Sequence, residues 1–264
     1  MTSAQLISWV VSAITFGTVI MFGCIGETIN QKAGNLNLGV PGIMQLGGIG
    51  ALTGAFIYES STATPNGTIG MICALLCAIL ASALGSLIYS FLTVTLKANQ
   101  NVTGLTLTIF GTGIANFFGG SLMKLSGGVG SISVATTANV FKLRLPFISG
   151  KLGLFGSLFL NYGWMAYFCL VLAFVANYFL TKTRTGLNLR AVGENPATAD
   201  AAGINVTKYK YLASIVGGAI CGLGGLFYVM DYIQGTWAND NTIEALGWLA
   251  VALVIFTSCK PENG

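Results

Sequence analysis

The chain has 264 residues, of which 54% are hydrophobic and only 8% are charged, and it contains no histidine. Soluble domains carry about a quarter of charged residues, so this chain cannot cover a soluble globule with polar surface. Its formal net charge of +4 is spread over connecting segments and does not indicate a nucleic-acid partner. The composition predicts an integral membrane protein and excludes a soluble globular domain.

The apolar segments are long and continuous, which favours helices over the short alternating strands of a β-barrel. We therefore predict an all-α fold, a polytopic helical membrane protein with about seven membrane segments, some of them discontinuous. Residues 1–264 form a single transmembrane domain in this prediction. The second and seventh segments are short for a straight span. The predicted segments, in chain order, are 5–26, 43–58, 70–96, 102–122, 153–181, 211–231 and 243–259.

Two polar connections set the predicted orientation. One of them, 182–210, carries five basic residues and is assigned to the cytoplasm by the positive-inside rule, which places the N-terminus outside. The connection 123–152 then lies on the outer face, where its own four basic residues count against this orientation or serve a docking partner. We expect short interfacial helices or irregular structure in this external loop.

A short helix is predicted inside the 182–210 loop. Asn195 suits an N-cap and Pro196 the first helical position, 196–202 is rich in alanine, and Gly203 ends the helix. These local signals leave two interpretations open, a helix that inserts into a groove on a partner and a plain polar connector.

The stretch 34–48, GNLNLGVPGIMQLGG, holds five glycines and a proline between two apolar segments. Such a break frees backbone groups that other protein or water must satisfy, so we expect it to be buried as the discontinuous start of the second span. Its polar groups Asn35 and Asn37, like Asn116 further along, either line a polar pathway or make interhelical hydrogen bonds.

Two further polar features have simpler interpretations. Glu27, near the end of the first segment, is predicted to pair with Lys32 or to cap a helix break. The six cysteines all lie in or beside apolar segments, and without histidine or a second CxxC pair they predict packing residues rather than a metal site.

Two zones resemble a known family. The string TGLNLRAVGENPATADAAGINVTKYKYLASIVGGAICGLGGLFY, residues 185–228, resembles the cytoplasmic loop and following helix of permease subunits of ABC importers. The branch is the one that takes up nucleosides, simple sugars and branched-chain amino acids. A second zone, GETINQKAGNLNLGVPGIMQLGG, is similar to the family's N-terminal pattern at Glu27, Gly34, Asn37, Gly42 and Met44.

The resemblance implies a mechanism and a set of partners. Two permeases would form the pathway, two ATPase subunits would each receive one short coupling helix, and an external binding protein would deliver the substrate. This chain would be a transport subunit rather than an enzyme, without a cofactor of its own, since ATP and Mg would bind the ATPase. The implied location is the bacterial inner or plasma membrane.

The resemblance implies the residues of the ATPase contact, and the intramembrane polar groups together with the 34–48 stretch predict those of the substrate pathway. The ATPase contact would consist of Arg190, Gly193, Glu194, Asn195, Pro196 and Gly203. The substrate pathway would involve Asn35, Asn37, Gly42, Met44 and Asn116.

The predicted substrate is a nucleoside or simple sugar, because amides and hydroxyls suit a neutral polyol and few charges lie in the segments. A branched-chain amino acid permease is the nearest alternative, and a stand-alone secondary transporter or channel is another. We expect the second permease to be a paralogue. The family usually continues past GWLAVALVIF into a further apolar span, which would make this a short form.

Overall fold

The computed structural model describes residues 3–125, 132–142, 162–237 and 241–258. These residues confirm the all-α prediction, with one isolated β-bridge between Ser133 and Thr236. The α3 and α9 helices each continue as a π-helix, over Phe91–Thr95 and Tyr228–Tyr232. The helices are α1 Ser3–Lys32, α2 Val40–Ser61, α3 Gly67–Ser90, α4 Gln100–Leu125, α5 Ala135–Phe141, α6 Trp164–Lys182, α7 Arg184–Glu194, α8 Pro196–Ala201, α9 Val206–Phe227 and α10 Thr242–Ser258.

By length and composition, six stretches of the described residues can cross a membrane, where the sequence predicted about seven. The seventh predicted segment is the shorter apolar helix α10. The fifth prediction, 153–181, is observed from Trp164 onward, while 153–161 lies outside the described residues. The six stretches are Ser8–Lys32, Val40–Ser61, Gly67–Thr95, Gln100–Leu122, Trp164–Lys182 and Val206–Tyr232.

The prediction of a short second segment is wrong, because α2 has 22 residues. Pro41 sits in its first turn, where the missing N–H would have had no intrahelical partner, so the proline starts the helix. Three of the five glycines in the 34–48 stretch, Gly42, Gly47 and Gly48, therefore lie inside a continuous helix.

The helix connections gather at two ends of the bundle. At one end, which we call the α7–α8 end, Gly193 lies against Gly34. At the other, the α5 end, the Thr137 N–H donates to Glu59 over 2.7 Å. Sequence analysis assigns the α7–α8 end to the cytoplasm.

The α2 helix forms the centre of the bundle. Of its apolar window 78% is buried, against 28% for the window of α3, so α2 is surrounded by protein while α3 is peripheral. Glycines allow this close approach: Gly42 lies against Gly111 of α4, and Gly47 lies against Gly222 of α9. Further glycines of α9 also lie against neighbouring helices, Gly217 against α1, Gly218 against α3 and Gly225 against α2.

The α10 helix begins beside the middle of the bundle rather than at one end. Ile243 in its first turn lies against Gly48 of α2, and Gly247 lies against Pro41 at the start of α2. The remaining turns of α2, towards Ser61, therefore extend beyond the start of α10. Among the described residues, the short apolar helix is therefore α10 rather than the second span.

Candidate translocation and coupling sites

The break between α1 and α2 is built around one buried carboxylate. Glu27 Oε1 accepts the N–H of Asn37 over 2.9 Å, and Glu27 Oε2 accepts from Asn30 Nδ2 over 3.3 Å. Asn37 Oδ1 in turn accepts the N–H of Gly39 over 2.8 Å, the local turn that asparagine favours. Of the two predicted roles of Glu27, the capping of a helix break is confirmed.

Neighbouring helices satisfy the rest of the freed backbone. The Leu36 N–H donates to Gln100 over 3.0 Å, and the Tyr89 hydroxyl donates to the Leu36 carbonyl over 2.8 Å. Asn35 Nδ2 donates to Ser214 Oγ over 3.3 Å. The prediction that this stretch is held by protein inside the bundle is confirmed for the break itself, residues 33–39, although Gly34 is exposed.

Four of the five residues predicted for the pathway lie together in the protein interior. Asn37, Met44 and Gly42 are fully buried, and Asn35 is 1% exposed. Gly42 lies against α4, and the Met44 side chain contacts Gly224 of α9. Among the described residues, Asn35 Oδ1 and Asn37 Nδ2 have no hydrogen-bond partner.

The fifth predicted residue, Asn116, lies elsewhere, half-buried on α4. The outward face of α4 differs from that of α3. On α3 the large exposed side chains are Ile69, Ile72, Leu76, Ile79, Leu80, Leu84, Leu87 and Ile88. On α4 the exposed or half-buried residues include Thr106, Thr112, Gly113, Asn116 and Gly120 among apolar ones.

Open space adjoins this α4 face. A Cβ atom added at Gly113 or at Gly120 would meet no atom of the described residues within 4 Å. Thr112 Oγ1 donates to Glu244 Oε2 over 3.2 Å, which joins α4 to the first turn of α10. Polar groups on a membrane helix are expected to face protein or water rather than lipid.

Sequence reasoning missed one residue, Gln45. It lies in α2, is 1% exposed, and its Oε1 has no hydrogen-bond partner in the described part of the chain. The available signal was an amide inside the apolar segment 43–58, which the surrounding glycines obscured.

The helix predicted in the 182–210 loop is confirmed. Asn195 Oδ1 accepts the Thr198 N–H over 3.1 Å, Pro196 occupies the first turn, and α8 runs to Ala201. Gly203 follows with φ +81°, the left-handed conformation that ends helices. The preceding helix α7 is capped by Thr183.

Only some of the predicted ATPase-contact residues lie on one outward surface. Glu194, Asn195, Pro196 and Gly203 are exposed, whereas Arg190 and Gly193 are half-buried. A single side chain anchors α8, because Ala199 is its only buried residue.

Gly193 is half-buried because it contacts the break between α1 and α2. A Cβ on Gly193 would overlap the Lys32 carbonyl oxygen and come within 3.0 Å of the Gly34 nitrogen. Gly193, which contacts the turn that ends α1, is therefore adjacent in sequence to Glu194 on the outward surface of the loop.

A central buried helix, a protein-held break and an exposed helical loop define a membrane transport subunit, and comparison with known proteins gives its family. Residues 9–261 match the family described as "Branched-chain amino acid transport system / permease component". The chain belongs to this family. It is an ABC permease of the branch that its sequence resembles, and a multi-pass protein of the cell membrane.

Three relatives show the range of the family. A protein of Haloferax volcanii, provisionally named a glucose ABC transporter permease protein, is 33% identical over 96% of this chain and 71% of its own length. The nucleoside ABC transporter permease protein NupC of Lactococcus lactis is 29% identical over 96% of this chain and 76% of its own. NupB of the same organism, also named a nucleoside permease, is 32% identical over 31% of this chain and 22% of its own. No solved structure matches the chain.

Proposed function

We propose that this chain forms one wall of the translocation pathway of an ATP-driven importer, and that its substrate is a nucleoside or a simple sugar. The names of the Haloferax and Lactococcus relatives support this substrate class. The family description names branched-chain amino acids instead. A zwitterion needs a cationic partner or a helix N-terminus for its carboxylate. Basic residues of the described spans, such as Lys32 and Lys182, lie at helix ends, and the N-terminus of α10 carries the acidic Glu244.

The outward face of α4 carries the proposal. Its exposed and half-buried Thr106, Thr112, Gly113, Asn116 and Gly120 would be costly against lipid, in contrast to the aliphatic face of α3. Hydroxyl and amide groups can exchange hydrogen bonds with a hydroxylated solute as it passes. This face is the wall, Asn35 and Asn37 hold the adjoining break, and Gly42 and Met44 lie in the first turns of α2 that follow it.

A second permease supplies the opposite wall, since one helix face cannot enclose a pathway alone. Two Lactococcus proteins named nucleoside permeases, NupC and NupB, both match this chain, which favours a paralogue over a second copy. An external binding protein docks at the α5 end of the pair.

An ATPase subunit contacts the α7–α8 end. The exposed Glu194, Asn195 and Pro196 offer a charged and polar surface on a projecting helix, and the link from Gly193 to Gly34 connects this surface to the break. ATP and Mg bind the ATPase, so this chain needs no cofactor for the motion.

Thiol labelling tests the α4 wall. A cysteine introduced by Asn116→Cys should react with a small water-soluble methanethiosulfonate in the assembled complex, and substrate should slow the reaction. The matched control is Leu80→Cys on the lipid face of α3, with the native cysteines as background. Equal labelling of the two variants, or labelling of Asn116→Cys that substrate never slows, would overturn the assignment.

A further inference from the structure

Gln45 lies on the α2 face between α4 and α10. Gly42, three residues earlier, lies against Gly111 of α4, and Gly48, three residues later, lies against Ile243 of α10. In an α-helix, positions i−3 and i+3 flank the direction of residue i on either side. The Gln45 side chain therefore points between α4 and α10 and is covered there, with 1% of its surface exposed.

The same contacts fix the depth of Gln45 in the bundle. One residue beyond the Gly42–Gly111 contact on α4 lies Thr112, in the middle of that helix. On α10, Ile243 contacts Gly48 of α2 and Gly247 contacts Pro41. Glu244 is the first residue of α10 between these two contacts. Gln45, Thr112 and Glu244 thus share one depth on three helices.

A hydrogen bond joins two of these three residues, one on α4 and one on α10. Thr112 Oγ1 donates to Glu244 Oε2 over 3.2 Å, although α4 packs mainly against α2, and α10 against α1 and α2. Both residues are half-buried, so part of each polar group remains accessible. The open α4 face around Gly113 and Asn116 adjoins them.

Gln45 provides separate evidence that a ligand binds among these residues. Its side chain is 1% exposed and its Oε1 has no hydrogen-bond partner in the described chain. An unsatisfied buried acceptor destabilises a fold, and an apolar side chain at this position would avoid that cost. A solute hydroxyl that donates to Oε1 would satisfy it.

We infer that Gln45, Thr112 and Glu244 form a binding site, midway through the bundle, for an uncharged solute with neighbouring hydroxyl groups. The inference rests on the proposed function and adds its binding residues. The Glu244 carboxylate accepts two adjacent hydroxyls, Gln45 Oε1 accepts a third donor, and the Thr112 hydroxyl exchanges its bond to Glu244 for one to the solute. The half-buried Asn116, one turn along α4, lies on the route to the site.

Ribose in a nucleoside and a hexose both present such hydroxyls, so transport of both is measured. Cells that express the chain with the permease, ATPase and binding-protein genes of its locus are assayed with radiolabelled uridine, 2′-deoxyuridine, glucose and 2-deoxyglucose. Gln45→Leu and Thr112→Val should each raise the KM of the transported ligand about fivefold, the effect of one lost hydrogen bond. Glu244→Gln should reduce the preference for the ligand that keeps both hydroxyls.

The control is Thr181→Val, since this exposed α6 hydroxyl donates to its own helix, at the Asn177 carbonyl. It should leave KM unchanged. Co-purification of each variant with the ATPase shows that it is folded and assembled, and if Gln45→Leu fails this check, Gln45→Met and Thr112→Val decide. Wild-type transport with unchanged KM and hydroxyl preference in assembled variants would overturn the site. A wild type that transports none of the four solutes would overturn the proposed function instead.

Discussion

Gly193 and Gly34 are in direct backbone contact. A Cβ on Gly34, which has φ +79°, would lie 3.1 Å from the Cα of Gly193. Gly193 belongs to the last turn of α7, immediately before the exposed Glu194 and α8. A displacement of α8 would therefore be transmitted to the α1–α2 break through the direct contact of the Gly193 and Gly34 backbones, without an intervening flexible side chain.

We expect Gly193→Val to disturb this contact. Its side chain would overlap the Lys32 carbonyl oxygen, and overpacking of this kind destabilises by about 1–3 kcal/mol. Thermal unfolding of the purified complex should show a lower Tm, and uptake should fall. Gly17→Val is the matched control, because a Cβ at Gly17 meets nothing within 4 Å, and an equal loss in both variants would contradict the role of the contact.

Charge reversal at Glu194 should release the ATPase without unfolding the chain. Glu194 is exposed and contributes to no core packing, so Glu194→Lys alters only the outward surface of the loop. Co-purification of the ATPase should fall while the Tm of the isolated permease stays unchanged. Lys124→Glu, an exposed reversal at the opposite end of the bundle, should retain the ATPase. If the Glu194→Lys variant co-purified with as much ATPase as the wild type, the coupling surface would lie elsewhere.

Glu27 should be needed as an acceptor. Glu27→Leu leaves the buried Asn37 N–H unsatisfied, which costs about 1–3 kcal/mol, whereas Glu27→Gln keeps an acceptor oxygen at the same place. The Tm should therefore fall clearly for Glu27→Leu and by less for Glu27→Gln. Indistinguishable values for the two variants would mean that the capping bond does not stabilise the break.

Asn37 tests whether the break opens during transport. The residue is fully buried in this structure, so a cysteine from Asn37→Cys should be inert to a water-soluble thiol reagent here. We expect it to react in at least one nucleotide state of the ATPase, with the wild-type chain as the background. Inertness in every nucleotide state would leave Asn37 a packing residue.

The local parts of this structure could be predicted from the sequence. Asn195, Pro196 and Gly203 specify the start and end of α8 through contacts within a few residues, and they behave as predicted. The 34–48 stretch was predicted only in part. Glycine and proline signal both chain breaks and close helix packing, and the choice between them depends on neighbours such as Gly111 and Gly222 that are distant in sequence.

The residues of the inferred binding site could not be brought together from the sequence. Gln45, Thr112 and Glu244 lie in three segments. Their common depth depends on helix registers set by the contact of Gly42 with Gly111 and by the contacts of Gly48 and Gly247 between α2 and α10. The position of the start of α10 beside the middle of α2 likewise depends on tertiary contacts. Hydropathy alone shows only that this segment is short.

Uptake into proteoliposomes tests the central claim, that this permease imports a hydroxylated solute with energy from an attached ATPase. The chain, its partner permease and the ATPase are reconstituted, and radiolabelled uridine and glucose are supplied with the binding protein. The account predicts uptake that requires ATP, the ATPase and the binding protein together, and that Glu194→Lys abolishes it. Uptake by the permease without ATPase or binding protein would contradict the account and indicate a stand-alone transporter.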